Sequence, residues 1–237
     1  MLRALRRKMS RLFLSSFFSG VRDLFEQYAG DFLHGKRVAF IPTAARNETI
    51  NFYVHDGKKV LKQYGSIVDE IDVSTASHSE ICRILGEADV IYVSGGNTFF
   101  LLQEFRKSGT DQMIIEHIRA GKLYIGESAG SVILAPNIEY VSALDDTRAA
   151  PELSDYESLS VLDFCPLPHY KNFPFRKAVK KAIRDYGHTL RLLPFSNNQV
   201  ILFEGEKYRV VSRKDADPLK SGSLLKKEQD PSGKLHR

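Results

Sequence analysis

The first half of the chain alternates between short apolar runs and longer amphipathic stretches. The apolar runs predict five strands, at 11–17, 37–44, 66–73, 89–94 and 123–125. The amphipathic stretches repeat their apolar residues every three or four positions and predict five helices, at 21–33, 48–64, 79–85, 99–105 and 112–118. This alternation is typical of an α/β fold with a mainly parallel sheet. The alternating pattern of 66–73 indicates an exposed or edge strand.

The second half is less regular. Residues 137–156 are polar and predict no regular element, whereas further strands and a helix are predicted at 162–167, 175–186, 190–195, 200–203 and 208–212. The strand at 162–167 ends at Pro168-His169-Tyr170. We expect one α/β domain over 9–213, between a disordered extension at 1–8 and a disordered tail at 214–237.

The ends of the chain account for its positive charge. The net charge is +5, but residues 1–11 contribute +5 and residues 213–237 contribute +3, so the residues between them carry −3. A body without a basic stripe argues against nucleic-acid binding. No apolar run reaches the roughly 20 residues of a membrane helix, which argues against a membrane protein.

The N-terminus and the two cysteines are informative about the cellular compartment of the protein. The basic start and the apolar run at 12–18 resemble a signal peptide, but no A-x-A-like cleavage site follows, so we favour a first strand. The start at Met1 or at Met9 stays open. Cys82 and Cys165 lack the spacing of a disulfide framework or a metal site, and we expect a cytoplasmic protein with neither metal nor cofactor.

The strongest chemical motif is Gly126-Glu127-Ser128-Ala129-Gly130, which matches G-x-S-x-G between a predicted strand and an apolar run that can begin a helix. This is the context of a nucleophile elbow, a tight turn that projects a serine hydroxyl into open space. Glycines on either side remove side chains that would collide in such a turn. The motif therefore predicts Ser128 as a nucleophile, although a Gly-flanked turn with an incidental serine has the same sequence.

A serine nucleophile needs a base, a residue that orients the base, and donors for the oxyanion. Of the seven histidines, His169 alone directly follows a predicted core strand, where a site at a sheet end would draw its residues. The N–H of Ala129 and that of Gly95 or Gly96 are candidate oxyanion donors. The orienting acid stays open among six residues between the serine and the histidine: Asp145, Asp146, Glu152, Asp155, Glu157 and Asp163.

Three segments together resemble the aspartyl dipeptidase (peptidase E) family, which is related to the cyanophycinases. They are YVSGGNTFFLL at 92–102, LYIGESAGS at 123–131 and PHY at 168–170, and the resemblance extends over about 10–212. It implies a three-layer, doubly wound fold similar to class I glutamine amidotransferases. It also implies a serine peptidase that cleaves dipeptides with an N-terminal aspartate without a metal, with Ser128 as nucleophile, His169 as base, and Gly96 and Ala129 as oxyanion donors.

The sequence departs from that family at two positions. Ala143 stands where the family has its aspartate, so we expect Asp146, brought into register by a short insertion, to orient His169. Glu127 replaces a tryptophan of the enterobacterial members, which puts the aspartyl specificity in question.

The leading hypothesis is thus a serine peptidase that acts on small peptides through an acyl-enzyme. An esterase or amidase with the same triad and a non-catalytic binding protein on this fold are the alternatives. The oligomeric state, a homo-oligomer included, stays open.

Overall fold

The computed structural model describes residues 11–205 and 207–213. The extension and the tail predicted at 1–8 and 214–237 lie outside these residues. The strands are β1 Arg11–Ser15, β2 Arg37–Ile41, β3 Ile67–Glu70, β4 Val90–Val93, β5 Leu123–Glu127, β6 Cys165–Leu167, β7 Leu192–Pro194, β8 Gln199–Glu204 and β9 Lys207–Ser212. The helices are α1 Arg22–Ala29, α2 Phe52–Gln63, α3 His78–Glu87, α4 Thr98–Ser108, α5 Thr110–Arg119, α6 Ala129–Val132 and α7 Arg176–Tyr186. Single 3-10 turns occur at Ser19–Val21, Gly30–Leu33, Thr43–Ala45, Glu139–Val141 and Thr147–Ala149.

Seven strands form one sheet in the order β3-β2-β4-β5-β1-β8-β9. The first five strands of the chain run parallel, and β8 and β9 are antiparallel additions beyond β1. The prediction of a mainly parallel α/β sheet is confirmed, as is the edge position of β3. The elbow strand β5 lies at the centre of the sheet, where both of its neighbours, β4 and β1, run parallel to it.

Helices cover both faces of this sheet, because successive residues of each central strand point to opposite sides. In β1, Phe13 packs with α1 and α2, whereas Leu12 and Leu14 pack with the helices of the other face. The result is three layers with a core on each side of the sheet. In the described part of the chain, no helix has the length and apolar character needed to span a membrane.

The strand predicted at 162–167 is shorter in the structure and lies outside the main sheet. Only Cys165–Leu167 is a strand, β6, and it pairs in parallel with β7 in a separate two-stranded sheet. The two sheets are joined through Ser16, which directly follows β1. Its hydroxyl accepts the His169 N–H at 3.1 Å and donates to the Phe195 carbonyl at 3.2 Å. His169 and Phe195 follow β6 and β7, so this hydroxyl fixes the small sheet against the end of β1.

Glu127 is an acid buried at the carboxyl end of β5, with only 2% of its surface exposed. Its carboxylate accepts the Phe18 N–H and the Tyr92 hydroxyl, each at 2.8 Å. Burial raises the pKa of Glu127 to about 7, although these hydrogen bonds and one from the Gly95 backbone act in the opposite direction. The side chain thus ties β5 to β4 and to the turn after β1 on the face covered by α1 and α2.

This burial predicts a pH-dependent stability. The folded chain keeps the Glu127 proton up to about pH 7, whereas the unfolded chain releases it near its ordinary value of 4.5. The favourable contribution is therefore complete below pH 4.5 and is lost as the pH rises through 7. Relative to Glu127→Gln, which does not titrate, the wild type should lose up to roughly 3 kcal/mol of unfolding free energy over this interval.

Urea unfolding at a series of pH values between 4 and 8.5 measures this difference. Glu116→Gln, at an exposed position of α5, is the matched control and should follow the wild type at every pH. A constant difference between the wild type and Glu127→Gln across the range would contradict the prediction.

Candidate active site

Ser128 lies at the tight turn between β5 and α6, as the G-x-S-x-G motif predicts. Its backbone has φ 48° and ψ −106°, a conformation that residues with a side chain rarely adopt. The Ser128 N–H donates to the Ser15 carbonyl at 2.8 Å, and the Ser131 N–H donates to the Ser128 carbonyl at 2.8 Å. These bonds hold the strained residue between the end of β1 and the first turn of α6.

The glycines of the motif permit close backbone contacts on both sides of the turn. A Cβ on Gly126 would lie 2.5 Å from the Gly130 carbonyl oxygen. A Cβ on Gly130 would lie 2.2 Å from the carbonyl oxygen of Val93 at the end of β4. Neither distance is compatible with a side chain, so glycine is required at both positions by packing. The Tyr124 hydroxyl also donates to the Gly130 carbonyl, at 2.7 Å.

His169 lies within hydrogen-bonding distance of the serine. The Ser128 Oγ and the His169 Nε2 are 2.8 Å apart. His169 has a positive φ of 62°, and its ring stacks on Phe175 with the ring centres 4.4 Å apart. The structure therefore brings together Ser128 and His169, two of the three residues predicted for the triad.

The second imidazole nitrogen contacts an amide rather than a carboxylate. The His169 Nδ1 lies 2.9 Å from the Oδ1 of Asn197. A proton on Nδ1 donates to this oxygen and leaves Nε2 free to accept the Ser128 hydroxyl proton. Asn197 is itself held by its backbone N–H, which donates to the Asn172 side-chain oxygen at 2.9 Å.

The expected contact between Asp146 and His169 does not occur. The Asp146 side chain is exposed and pairs with Arg148 at 2.8 Å, which lowers the pKa of Asp146 to about 2. Its backbone carbonyl accepts the Asn97 side-chain amide at 2.9 Å. The segment after the elbow is thereby fixed to the N-terminus of α4 and does not reach the histidine.

Asp145 is fixed at the same helix end. Its carboxylate accepts both the N–H of Thr98, at 2.9 Å, and the Thr98 hydroxyl, at 2.5 Å. Burial raises the pKa of Asp145 to about 6 despite these bonds. Asp145 thus contributes negative charge to the wall of the site and does not contact the imidazole.

The loop after β4 lies directly against the nucleophile. A Cβ on Gly95 would lie 3.2 Å from the Ser128 Cβ, and one on Gly96 would lie 2.1 Å from the Ala44 carbonyl oxygen. Gly96 also has φ 132°, a region open in practice to glycine alone. Within the described residues, the N–H groups of Gly96 and Ala129 donate to no protein acceptor. Both are therefore available to a ligand.

A cleft of about 740 Å³ opens above these residues. Its wall contains Ser128, His169, Asn197, Gly96 and Asp145, together with aromatic side chains. Within this cleft, burial lowers the pKa of His169 below its ordinary value, and the hydrogen bond that His169 donates to Asn197 acts in the opposite direction. No group of three or more His, Cys, Asp or Glu among the described residues could hold a metal ion.

The sequence reasoning missed two residues of this site, Asn197 and Ser16. It restricted the third member of the triad to acids between Ser128 and His169, whereas Asn197 follows His169 by 28 residues. The sequence did contain a signal for Asn197, because Asn197 closely follows the strand predicted at 190–195, just as His169 closely follows the strand predicted at 162–167. The parallel pairing of β6 and β7, which places both turns at one edge, was not evident from the sequence.

A sequence model of Peptidase family S51 matches residues 11–211. The chain is 50% identical over 198 residues to an uncharacterized peptidase of Pasteurella multocida, covering 84% of this chain and 95% of that protein. It is 34% identical over 144 residues to Peptidase E of Citrobacter koseri, covering 59% of this chain and 58% of that protein.

A solved structure gives the same result for the fold. The crystal structure of a Listeria monocytogenes protein, described as a candidate peptidase E, superposes with a TM-score of 0.82 at 45% identity. The match covers 86% of this chain and 98% of that one. With the serine–histidine pair at a nucleophile elbow, these findings show that the chain belongs to peptidase family S51 and is a serine-type peptidase.

Proposed function

We propose that the chain hydrolyses small peptides, dipeptides in particular, through a covalent acyl-enzyme on Ser128. The observation that carries this proposal is the continuous hydrogen-bonded chain from the Ser128 Oγ through His169 to the Asn197 Oδ1, with separations of 2.8 and 2.9 Å. The dipeptide expectation comes from the resemblance of three sequence segments to the aspartyl dipeptidase (peptidase E) family. The residues that line the cleft above Ser128 determine which N-terminal residue of the substrate is accepted.

In the acylation step, the Ser128 oxygen attacks the scissile carbonyl carbon while its proton moves to the His169 Nε2. The carbonyl oxygen becomes an oxyanion, which the free N–H groups of Gly96 and Ala129 stabilise. The imidazolium then gives its proton to the leaving amine as the C–N bond breaks. The acyl group of the substrate stays on the serine as an ester.

In deacylation, water takes the part of the nucleophile and the Ser128 oxygen becomes the leaving group. His169 takes a proton from a water molecule, whose oxygen attacks the ester, and the same proton returns to the Ser128 oxygen as the acid leaves. Throughout both steps, the Asn197 oxygen accepts a hydrogen bond from the His169 Nδ1–H. This bond holds the ring in the tautomer that keeps Nε2 basic. A Cys-His-Asn arrangement serves the same purpose in papain-like proteases.

Asn197 also bears on the alternative of a non-catalytic protein. That alternative was favoured by Ala143, which stands where the family has the aspartate that orients its histidine. With an amide oxygen 2.9 Å from His169 Nδ1, the orientation of the base does not require that acid. An esterase or amidase would use the same three residues, and the peptidase relatives favour peptide substrates.

Replacing the nucleophile gives the first test. Ser128→Ala should lower the hydrolysis of peptide or ester substrates by at least about 10⁴-fold, because no oxygen remains to form the acyl-enzyme. It should also abolish labelling by a fluorophosphonate. Thermal unfolding should show a folded protein, and the exposed Ser154→Ala serves as the control that retains labelling. Turnover at the wild-type rate in folded Ser128→Ala would refute the mechanism.

The second test addresses the base. Burial keeps the pKa of His169 below 6.5, so the rate of fluorophosphonate labelling should reach half its maximum below pH 6.5. In Asn197→Asp, a carboxylate beside Nδ1 stabilises the imidazolium and raises its pKa, by roughly 1–3 units. The half-maximal rate should therefore move to higher pH.

Asn198→Asp is the matched control for this experiment. It adds the same charge at the next, exposed position and should leave the pH profile within a few tenths of a unit of the wild type. An unchanged profile in Asn197→Asp would show that Asn197 does not act on the base.

A further inference from the structure

The cleft above Ser128 has acidic side chains but no lysine or arginine among its described lining residues. Four acidic residues are among those that line it: Glu48, Glu127, Asp145 and Asp146. No lysine or arginine is among the residues that line it. A side-chain carboxylate on the N-terminal residue of the substrate would therefore meet charges of its own sign, with no lysine or arginine to neutralise it.

The carboxylates differ in what they contact. Asp146 is paired with Arg148, and Glu127 points away from the cleft toward Tyr92 and the Phe18 N–H. Asp145 has no basic partner; its hydrogen bonds come from Thr98 alone, and Glu48 is close enough to act on it electrostatically. Burial raises the pKa of Asp145 to about 6, so its carboxylate becomes charged as the pH rises above that value. The uncompensated charge of the cleft thus centres on Asp145 and Glu48.

The rest of the wall is apolar. Of the five exposed large hydrophobic side chains among the described residues, three line the mouth of this cleft: Ile50, 66% exposed, Phe52, 59%, and Phe173, 90%. Deeper in the wall lie Phe17 and Phe175, and the ring of Phe175 stacks on the catalytic imidazole. Apolar side chains gathered at the entrance of a site leave surface that a substrate side chain can cover.

We infer that the cleft takes small peptides whose N-terminal residue has an uncharged, apolar side chain, and that it discriminates against aspartate. This inference rests on the proposed function, because it names the substrate of the same serine. A leucine or phenylalanine side chain gains contact with the aromatic wall. An aspartate gains nothing there and is repelled by Asp145 and Glu48. We therefore expect the aspartyl dipeptide implied by the peptidase E resemblance to be a poor substrate of this cleft.

The test compares four substrates with one leaving group, the aminomethylcoumarin amides of leucine, phenylalanine, asparagine and aspartate. Asparagine and aspartate have the same shape, so their ratio reports charge alone, and leucine against asparagine reports apolar contact. We expect kcat/KM to fall about 10-fold or more from leucine to asparagine and again from asparagine to aspartate. An aspartyl substrate cleaved as well as the leucyl one would overturn the inference.

Two variants assign the preference to named residues. Asp145→Asn, which can still accept a bond from Thr98, should raise kcat/KM for the aspartyl amide about 10-fold relative to the leucyl amide. Phe173→Ser, at a side chain exposed enough to replace without loss of folding, should lower kcat/KM for the leucyl amide relative to the asparaginyl amide. Asp155→Asn, at an exposed aspartate paired with Arg106, is the control and should change neither ratio. Unchanged ratios in both variants would contradict the inference.

Fluorophosphonate labelling separates the inference from the proposed function. If Ser128 is labelled and the leucyl amide is not cleaved, the serine is active and the inferred substrate class is wrong. If Ser128 is neither labelled nor able to cleave any of the four amides, the proposed function fails and the inference fails with it.

Discussion

The close approach of Gly130 to the Val93 carbonyl is the constraint on which the site depends. Because the helix α6 begins against the end of β4, the turn that contains Ser128 lies beside the loop that leaves β4. That loop contains Gly95 and Gly96, and Gly95 lies directly against the Ser128 side chain. A methyl group at Gly130 would separate the two turns and disturb the nucleophile and its neighbouring donor together.

The base depends on burial instead of on a charged partner. An aspartate beside the imidazole would stabilise the imidazolium, whereas the neutral Asn197 fixes the ring without adding charge. Packing against Phe175 and the enclosing wall lowers the pKa of His169 and keeps the ring neutral. Acids are present in the same cleft, but their described contacts are with Thr98, Arg148 and Tyr92. The charge of the cleft is thus separated from the orientation of the base.

Much of the fold and part of the site could be predicted from the sequence, because local patterns determine them. The apolar runs located β1 to β5, and G-x-S-x-G located Ser128, since a strand, a turn and its glycines are all read within a few residues. Asn197 could not be found in this way. Its role depends on the pairing of β6 with β7, a contact between distant segments, and an asparagine in a turn has a sufficient local explanation.

Glu127 shows that a residue next to the nucleophile in sequence can lie outside the site in the structure. Its position beside Ser128 suggested an effect on the substrate, because neighbours in sequence are expected to share a site. In a strand, however, successive side chains point to opposite faces, and Glu127 enters the layer covered by α1 and α2. The other acids that line the cleft, Glu48, Asp145 and Asp146, lie in loops instead of in β5.

The division of the nucleophile and the base between two sheets has a consequence for how activity is lost. The serine follows a strand of the seven-stranded sheet, and the histidine follows a strand of the two-stranded sheet, which shares a hydrophobic core with the large sheet and bonds to the Ser16 hydroxyl. A local opening that detaches only the small sheet would separate the reacting atoms and leave the large sheet hydrogen-bonded. Activity therefore requires that β6 and β7 stay docked against the large sheet, in addition to the integrity of that sheet.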